Sequence, residues 1–424
     1  MNLRPRSCAL IAALACLTPL ARGAGGEIEV LHYWTSDGET GAVAKLKATL
    51  RAQGHTWKDF TVNGGGDGLA MVMLRSRVAS HNPPTAAQMK GISIQDWARG
   101  GKLAGIEDVA EADKWNELLP KTVSDTMKYK GRYVAAPLNV HRVNWLWINA
   151  DALKKANAKP PATWDEFFTV AEAMKNAGVI PVAYVGQTWL NLGTFENVVL
   201  GVGGADLYKR AFVDLDPEAF TGPQMEKSLE TYKRIKRYTD ANAASRDWIS
   251  ATAMVAKGQA GMQLMGDWAK AEIQATGKRP GIDVLCAPAP GTANAFTFNI
   301  DSFVMFQVSA ENKPAQRDLL RAVMSKDFQE TFNLAKGSIP VRLDVKMDRF
   351  DDCGKRASQD FKQSATRGTL MPSTLQGALP SAAVTAMSEA ISQFWNLDAM
   401  SARDAMATLA NIARNQAKAR DATR

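Results

Sequence analysis

Residues 27–39 read EIEVLHYWTSDGE, and this stretch decides the fold. Glu27–His32 alternates like a short strand and is followed by the aromatic pair Tyr33 and Trp34. A glycine-containing turn and the carboxylate of Glu39 come next. Open α/β sheets bind ligands just beyond the carboxyl ends of their strands. An aromatic face beside a carboxylate suits a sugar, because the ring covers the C–H face and the acid accepts hydroxyl protons.

Strand and helix patterns alternate along the rest of the chain, which predicts an α/β fold. The apolar spacing predicts a helix over Gly41–Gln53, and Thr163 with Glu166 forms a capping box at the start of another. Later patterns predict a helix over Gln187–Leu200 and a single strand over Thr297–Val308. About 400 residues exceed what one core usually holds, so we expect two lobes. No low-complexity linker separates them, which indicates that the chain passes between them several times.

The first 23 residues resemble a secretory signal, with a basic start, an apolar run over Cys8–Leu20 and small residues at the cleavage point. The apolar run is too short to span a bilayer. We therefore expect an exported, periplasmic chain. Ala13-Leu14-Ala15-Cys16 also resembles a lipid-attachment box, so lipidation at Cys16 stays an alternative.

Removal of the leader takes away three arginines and no acidic residue, which lowers the formal net charge from +8 to +5. Basic residues are interspersed with acids, as in Lys233–Arg237 beside Glu230. This pattern is typical of a solvated helix face and speaks against a nucleic-acid partner. Two cysteines remain, Cys286 and Cys353. In an exported protein they indicate one disulfide, with two separate buried thiols as the alternative.

Signatures of enzymes and metal sites are sparse. The sequence has no Gly-x-Ser-x-Gly, His-Glu-x-x-His or phosphate-loop lysine motif. None of its four histidines pairs at metal-ligand spacing, so we expect no metal and no cofactor. The run Asn63–Gly68 either cradles a ligand with backbone amides or is a tight strand-to-helix turn. Several of the eleven tryptophans lie beside turns or helix starts, notably Trp34, Trp248 and Trp268.

The chain resembles the sugar-binding members of the extracellular solute-binding protein family 1, the periplasmic receptors of ABC importers. It is most similar to the glucose-type binding proteins. The resemblance covers essentially the whole mature chain. It is carried by VLHYWTSDGE (30–39), AAPLNVHRVNWLWIN (135–149), PATWDEFF (161–168), VAKGQAGMQLMGDW (255–268) and KGSIPVR (336–342).

The resemblance implies a periplasmic-binding-protein fold, with two α/β lobes joined by three crossovers and a ligand cleft between them. Residues 24–137 and 296–338 would form the first lobe, and residues 138–295 and 339–424 the second. It also implies a monomer that binds a small sugar, closes by a hinge motion and is read by a membrane permease. No catalytic step is implied.

Carried over position by position, the resemblance implies eleven ligand-binding residues: Tyr33, Trp34, Glu39, Gln88, Lys90, Trp248, Trp268, Asn299, Asp301, Lys336 and Gln376. Relatives often carry a histidine where Gln376 stands here, so the identity of the sugar stays open. Two other functions remain alternatives. The first is a secreted glycosidase that uses Glu39 and Asp301, which we disfavour because Lys90 and Lys336 would keep both acids ionised. The second is a receptor of the same fold for another polyol, an oligosaccharide, a phosphate ester or a peptide.

Overall fold

The computed structural model describes residues 25–62, 69–376 and 378–422, without the side chains of residue 376 and residues 419–422. The predicted leader, Cys16 and the run Asn63–Gly68 lie outside this range. The strands are β1 (Glu27–His32), β2 (Thr56–Thr61), β3 (Ala86–Met89), β4 (Lys128–Tyr129), β5 (Arg132–Tyr133), β6 (Ala135–Pro137), β7 (His141–Arg142), β8 (Trp145–Asn149), β9 (Ile180–Val182), β10 (Ala260–Leu264), β11 (Val284–Pro288), β12 (Phe296–Asn299), β13 (Ser302–Met305) and β14 (Leu370–Pro372).

The α-helices are α1 (Asp37–Ala52), α2 (Leu69–Ala79), α3 (Gly91–Arg99), α4 (Glu107–Ala112), α5 (Trp115–Leu118), α6 (Lys121–Thr126), α7 (Ala150–Lys155), α8 (Trp164–Asn176), α9 (Thr188–Phe212), α10 (Pro223–Ile235), α11 (Trp248–Ala256), α12 (Ala269–Ala275), α13 (Lys313–Met324), α14 (Lys326–Lys336), α15 (Asp352–Arg367), α16 (Ser381–Asn396) and α17 (Ala402–Ala422). Within the described part of the chain, none of them combines the length and the apolar character needed to cross a bilayer.

Two sheets define two α/β lobes, as the sequence predicts. The first lobe holds a five-stranded sheet in the order β2-β1-β3-β13-β6, and the second holds a four-stranded sheet in the order β11-β8-β10-β9. In the first sheet β1 runs parallel to β2 and β3, whereas β13 is antiparallel to both β3 and β6. The carboxyl ends of β1 and β3 therefore meet at one edge, where the loops after them can share a ligand.

Three chain segments connect the lobes and lie side by side. The first runs from β6 to β7, and the second lies between β12 and β13. β12 pairs with β7, and Leu138 donates its backbone N–H to the carbonyl of Asp301 (2.8 Å). The third segment follows α14, where Ile339 pairs with Val140. Any movement of one lobe relative to the other must therefore bend or twist these three adjacent segments. The exact lobe boundaries stay a prediction.

The predicted strand over Thr297–Val308 is wrong, because it is interrupted at Ile300 and Asp301. The two halves belong to different sheets: β12 pairs with β7 and β14, and β13 pairs with β3 and β6. Asp301 lies at this interruption and accepts hydrogen bonds from the side chains of Gln88, Asn139 and His141 instead of pairing in a strand.

The helix predicted over Gln187–Leu200 continues to Phe212, with a non-helical residue at Gly204. Gly201 lies inside this helix, where its lack of a side chain allows α9 to approach the backbone of Pro290 closely. A Cβ there would lie 2.1 Å from the carbonyl oxygen of Pro290.

Two local predictions are confirmed. Thr163 accepts from the backbone N–H of Glu166, whose carboxylate accepts from Thr163 in return, so the capping box starts α8 as expected. Cys286 and Cys353 form a disulfide between β11 and α15. This bridge fastens a helix that the sequence analysis did not predict to the sheet of the second lobe.

The lobes touch where the start of α1 meets α12. A Cβ on Gly38 would lie 2.4 Å from the Cβ of Ala271, so only glycine permits this approach. The structure therefore has the two lobes in direct contact beside the loop that follows β1.

Candidate functional site

The loop after β1 delivers a carboxylate to the meeting place of the lobes. Ser36 is the N-cap of α1, and Glu39 accepts hydrogen bonds from the backbone N–H groups of Thr35 (3.1 Å) and Ser36 (3.3 Å). These bonds use Oε2 of Glu39. Its Oε1 accepts from Nζ of Lys336 at 2.9 Å, which lies on the last turn of α14. A capping box thus fixes one member of a buried ion pair.

The loop after β3 meets the interruption between β12 and β13. Asp301 is 1% exposed. Its Oδ1 accepts from Nε2 of Gln88 (3.0 Å) and lies 3.1 Å from Nζ of Lys90. Gln88 in turn accepts from the backbone N–H of Tyr33 (3.2 Å), and Lys90 lies 5.3 Å from the centre of the Tyr33 ring. Six predicted residues from four segments are thus brought together near this edge of the sheet, because Lys336 on α14 interacts with both Glu39 and Asp301. They are Tyr33, Glu39, Gln88, Lys90, Asp301 and Lys336.

The sequence analysis did not anticipate His141, which occupies the centre of the site. It is 1% exposed and lies on β7. Its Nδ1 contacts Oδ1 of Asp267, and its Nε2 lies 3.1 Å from Oδ2 of Asp301. Asn139 also donates to Oδ2 of Asp301 (2.9 Å). The imidazole therefore links a carboxylate beside the sheet of the first lobe to one from the second.

The charges of the ion-paired groups balance when His141 is protonated. Three carboxylates face three cations, namely Glu39, Asp267 and Asp301 with Lys90, Lys336 and His141. Glu272 is a further carboxyl group near Glu39 and Lys336, and burial raises its pKa. Burial lowers the pKa of His141, but Asp267 and Asp301 outweigh it, and the net effect raises the pKa. Because the two carboxylates outweigh burial, the surroundings of His141 favour its charged imidazolium form.

Two carboxylates of the site, Asp301 and Glu39, have lowered pKa values. Burial acts to raise the pKa of Asp301, but Lys90 and His141 overcome it and keep that pKa well below its usual range. Burial also acts to raise the pKa of Glu39, and the Lys336 ammonium reverses the effect. The pKa of Lys336 is raised, because Glu39 and Asp301 outweigh its desolvation. Neither predicted acid is therefore a proton donor near neutral pH.

The three predicted tryptophans occupy different surroundings. Trp34 is 2% exposed and packs in the core of the first lobe, with its ring centre 5.8 Å from Phe303 and 5.6 Å from Phe332. Trp268 is 8% exposed and stands edge-on to His141, with 5.5 Å between the ring centres. A ligand contact of Trp34 stays a prediction, and in this arrangement its visible role is packing.

Trp248 opens α11 and is half-buried. Its backbone N–H donates to the side chain of Gln187 (3.1 Å), just before α9. The same end of α9 carries Trp189, which the sequence analysis missed, 6.3 Å from the ring of Trp268. The second lobe thus places Trp268 against His141 and Trp189 against Trp268, and Trp248 is joined to this end of α9 through Gln187.

Asn299 and Gln376 complete the predicted set. Asn299 ends β12 opposite His141 and is 3% exposed, and its Oδ1 has no hydrogen-bond partner among the described residues. Such an acceptor needs a donor from a ligand, from water or from a part of the chain outside the described residues. Gln376 lies in a single 3-10 turn, Thr374–Gln376, and its side chain is outside the described part of the structure. Over that same part, no group of three or more His, Cys, Asp or Glu side chains is arranged to hold a metal ion.

Known proteins share this architecture and much of this sequence. Residues 40–330 match the family described as "Bacterial extracellular solute-binding protein". The chain is 43% identical over 405 residues to a "Probable sugar-binding periplasmic protein" of Brucella suis, covering 95% of each chain.

Two solved structures share the fold at low sequence identity. The bacterial solute receptor AcbH, described as having an exclusive preference for β-D-galactopyranose, superposes with a TM-score of 0.79 at 19% identity, over 93% of this chain and 99% of that one. A solute-binding protein of Agrobacterium vitis with bound D-mannitol superposes at 0.74 and 17% identity, with the same coverage.

Proposed function

Because the chain belongs to the bacterial extracellular solute-binding protein family, we propose that it is a periplasmic receptor for a monosaccharide, glucose or a related hexose. It delivers this sugar to an ABC importer in the inner membrane. The observation that carries the proposal is the charged cluster between the lobes, with the ring of Trp268 against His141. Its two halves come from different lobes, so a ligand held there favours the closed form.

The chemistry of the cluster suits a small polyhydroxylated ring. Each sugar hydroxyl is both a donor and an acceptor, and the site offers ionised acceptors and ammonium donors. Hydrogen bonds to charged groups contribute about 1.5–3 kcal/mol each. Indole faces add apolar contact with the C–H surface of the ring. Ordering costs offset part of the gain, so we expect micromolar affinity, about −8 kcal/mol.

The pKa directions favour a receptor over a glycosidase. Glycosidases of the common type need one carboxyl group that is protonated beside another that is ionised. Here cations lower the pKa of both Glu39 and Asp301. Incubation with aryl glycosides tests this directly, because we expect no turnover and measurable hydrolysis would favour the enzyme.

The name of the Brucella suis relative supports a sugar, whereas the two structural neighbours carry different ligands. The choice of a glucose-type hexose therefore depends on the motifs of the sequence. A second candidate is a linear polyol, supported by the mannitol complex of the neighbour from Agrobacterium vitis and by the replacement of histidine at Gln376.

Titration calorimetry with glucose, galactose, mannose, mannitol and maltose tests both candidates. We expect one hexose to bind at micromolar concentration and Asp301→Asn to weaken it at least tenfold. Asp318→Asn is the matched control, because Asp318 pairs with His55 on the first lobe away from the site. If wild-type protein binds none of these compounds at millimolar concentration, the proposed function is refuted.

A further inference from the structure

Glu196 is a buried carboxylate in the second lobe that the site described above does not use. It lies on α9 and is 1% exposed. Among the described residues, no Lys, Arg or His nitrogen lies within 4.0 Å of its carboxylate. A buried acid without a cation is costly unless hydrogen bonds compensate it.

The hydrogen bonds that Glu196 accepts come largely from one segment of chain. Its Oε1 accepts from the backbone N–H of Thr374 (2.8 Å), and its Oε2 accepts from Oγ of Ser373 (3.1 Å). A third donor is the hydroxyl of Tyr208, which lies 12 residues further along α9, beyond the break at Gly204, at 2.8 Å. Both Ser373 and Thr374 are fully buried. One carboxylate thus fastens two consecutive residues of the segment after β14.

This segment leads into the predicted ligand-binding residue Gln376. Ser373 also donates its backbone N–H to the carbonyl of Phe298 (3.0 Å), beside Asn299 at the end of β12. Its hydroxyl accepts from the N–H of Leu375 (3.0 Å) and so starts the 3-10 turn Thr374–Gln376. The geometry of the turn therefore depends on the atoms that Glu196 holds.

We propose that Glu196 is a positioning residue, which holds the Ser373–Thr374 segment and through it the backbone of the turn Thr374–Gln376 at the sugar site. This inference rests on the proposed function. The ionised carboxylate accepts all three donors, whereas a protonated one gives up an acceptor position.

The environment of Glu196 favours titration near neutral pH. Burial raises the pKa of Glu196 to about 7, although Thr374 and Tyr208 oppose the rise. Tyr208 is the ionisable group in contact with it, and burial keeps the pKa of that phenol well above its usual value. From α10, Tyr232 also faces α9, but its hydroxyl pairs with Tyr184. Sugar affinity should therefore rise with pH as Glu196 ionises.

The test compares wild-type protein with Glu196→Gln, which keeps the shape and the acceptor for Thr374 but cannot ionise. Affinity for the sugar that wild-type protein binds is measured by calorimetry at pH 6, 7 and 8. We expect wild-type affinity to rise by at least about fivefold more than that of the glutamine variant, a coupling at the lower end of the usual range. Ser373→Ala should weaken binding at every pH.

Hydrogen exchange provides a second readout that needs no sugar. We expect backbone amides of residues 373–376 to exchange at least about tenfold faster in Glu196→Gln, with unchanged exchange in β8. Tyr184→Phe is the matched control, because it removes a buried hydrogen bond facing α9 without touching the segment. The inference is overturned if wild-type protein and Glu196→Gln show equal amide exchange in residues 373–376, or equal affinity and pH profile. The proposed function would be unaffected by that result. Failure of wild-type protein to bind any sugar would refute the proposed function, and the inference with it.

Discussion

His141→Gln is the substitution that probes the charged cluster most directly. The imidazolium donates to carboxylates on both sides, Asp267 and Asp301, and it supplies the third positive charge of the site. Glutamine has a similar length but can donate to only one of them. The cluster would then carry one uncompensated negative charge in a buried space. Breaking a buried ion pair costs about 3–5 kcal/mol, and because glutamine keeps one bond we expect a loss of about 3 kcal/mol.

The raised pKa of His141 determines how the free energy of unfolding should change with pH. His141 has a raised pKa in the folded protein, against an ordinary value of 6.5. A group of this kind contributes stability that is fully present below its ordinary pKa and is lost as the pH rises through the raised value. The wild-type free energy of unfolding should therefore fall between neutral and alkaline pH by more than that of His141→Gln. Urea titrations at several pH values from 6 to 10 measure both slopes.

His55→Gln is the matched control for this experiment. His55 is also buried and pairs with a single carboxylate, Asp318, at 3.0 Å on the first lobe. Its replacement should lower stability by about 1 kcal/mol without changing sugar affinity. The reasoning is refuted if His141→Gln costs less than about 1 kcal/mol, or if its stability keeps the same pH slope as wild-type protein.

Three further predictions concern other parts of the chain. Trp248→Ala should weaken sugar binding about tenfold in calorimetry. Trp97 is a half-buried tryptophan packed on the first lobe, and Trp97→Ala should leave binding unchanged. Equal effects of the two substitutions would remove Trp248 from the site. Replacing Cys286 and Cys353 with serine should lower the free energy of unfolding by up to about 4 kcal/mol in urea titrations, because the bridge spans 67 residues; a change below about 1 kcal/mol would contradict this. Thr163→Ala should cost about 1 kcal/mol through the lost cap of α8 and leave sugar affinity unchanged, and a large affinity change would argue against a purely local role.

The sequence predicted the features that depend on local chemistry. Alternation in Glu27–His32, the capping box at Thr163 and the cysteine pair each follow from a few neighbouring residues or from composition. By contrast, α15 was missed because its apolar positions, Cys353, Ala357 and Phe361, are separated by polar residues throughout. Their spacing of four residues and the N-cap Asp351 were the available signals.

The site was predicted in outline for a similar reason. Glu39, Gln88 and Asp301 lie at strand ends, where α/β folds gather their ligands, and the structure brings them together. His141 was missed because its meaning comes from Asp267 and Asp301, which are more than 120 residues away along the chain. A histidine in a connecting strand carries no local sign of two distant carboxylates. The burial of Trp34 between Phe303 and Phe332 could not be predicted either, because aromatic residues at strand ends occur both in hydrophobic cores and in ligand-binding sites.

The hydrogen bonds of Asp301 constrain how a sugar can enter. A carboxylate has about four acceptor positions. In this structure Gln88 and Lys90 occupy Oδ1, and Asn139 and His141 occupy Oδ2. A sugar hydroxyl can therefore bond to Asp301 only if one of these donors moves. Lys90 is the least buried of them, with 20% of its side chain exposed.

Displacement of Lys90 would release an ammonium group beside the ring of Tyr33, where it can donate to a second hydroxyl of the same sugar. The ion pair would thus be exchanged for two charge-assisted hydrogen bonds to one ligand. An apolar molecule of the same size offers no donor to Asp301 and no acceptor to Lys90. If it displaced Lys90, that ammonium would lose its carboxylate without a new acceptor, whereas Asp301 would keep Gln88, Asn139 and His141. If a ligand enters at Asp301, a polyhydroxylated one is therefore favoured, because it alone replaces the bonds that displacement of Lys90 breaks.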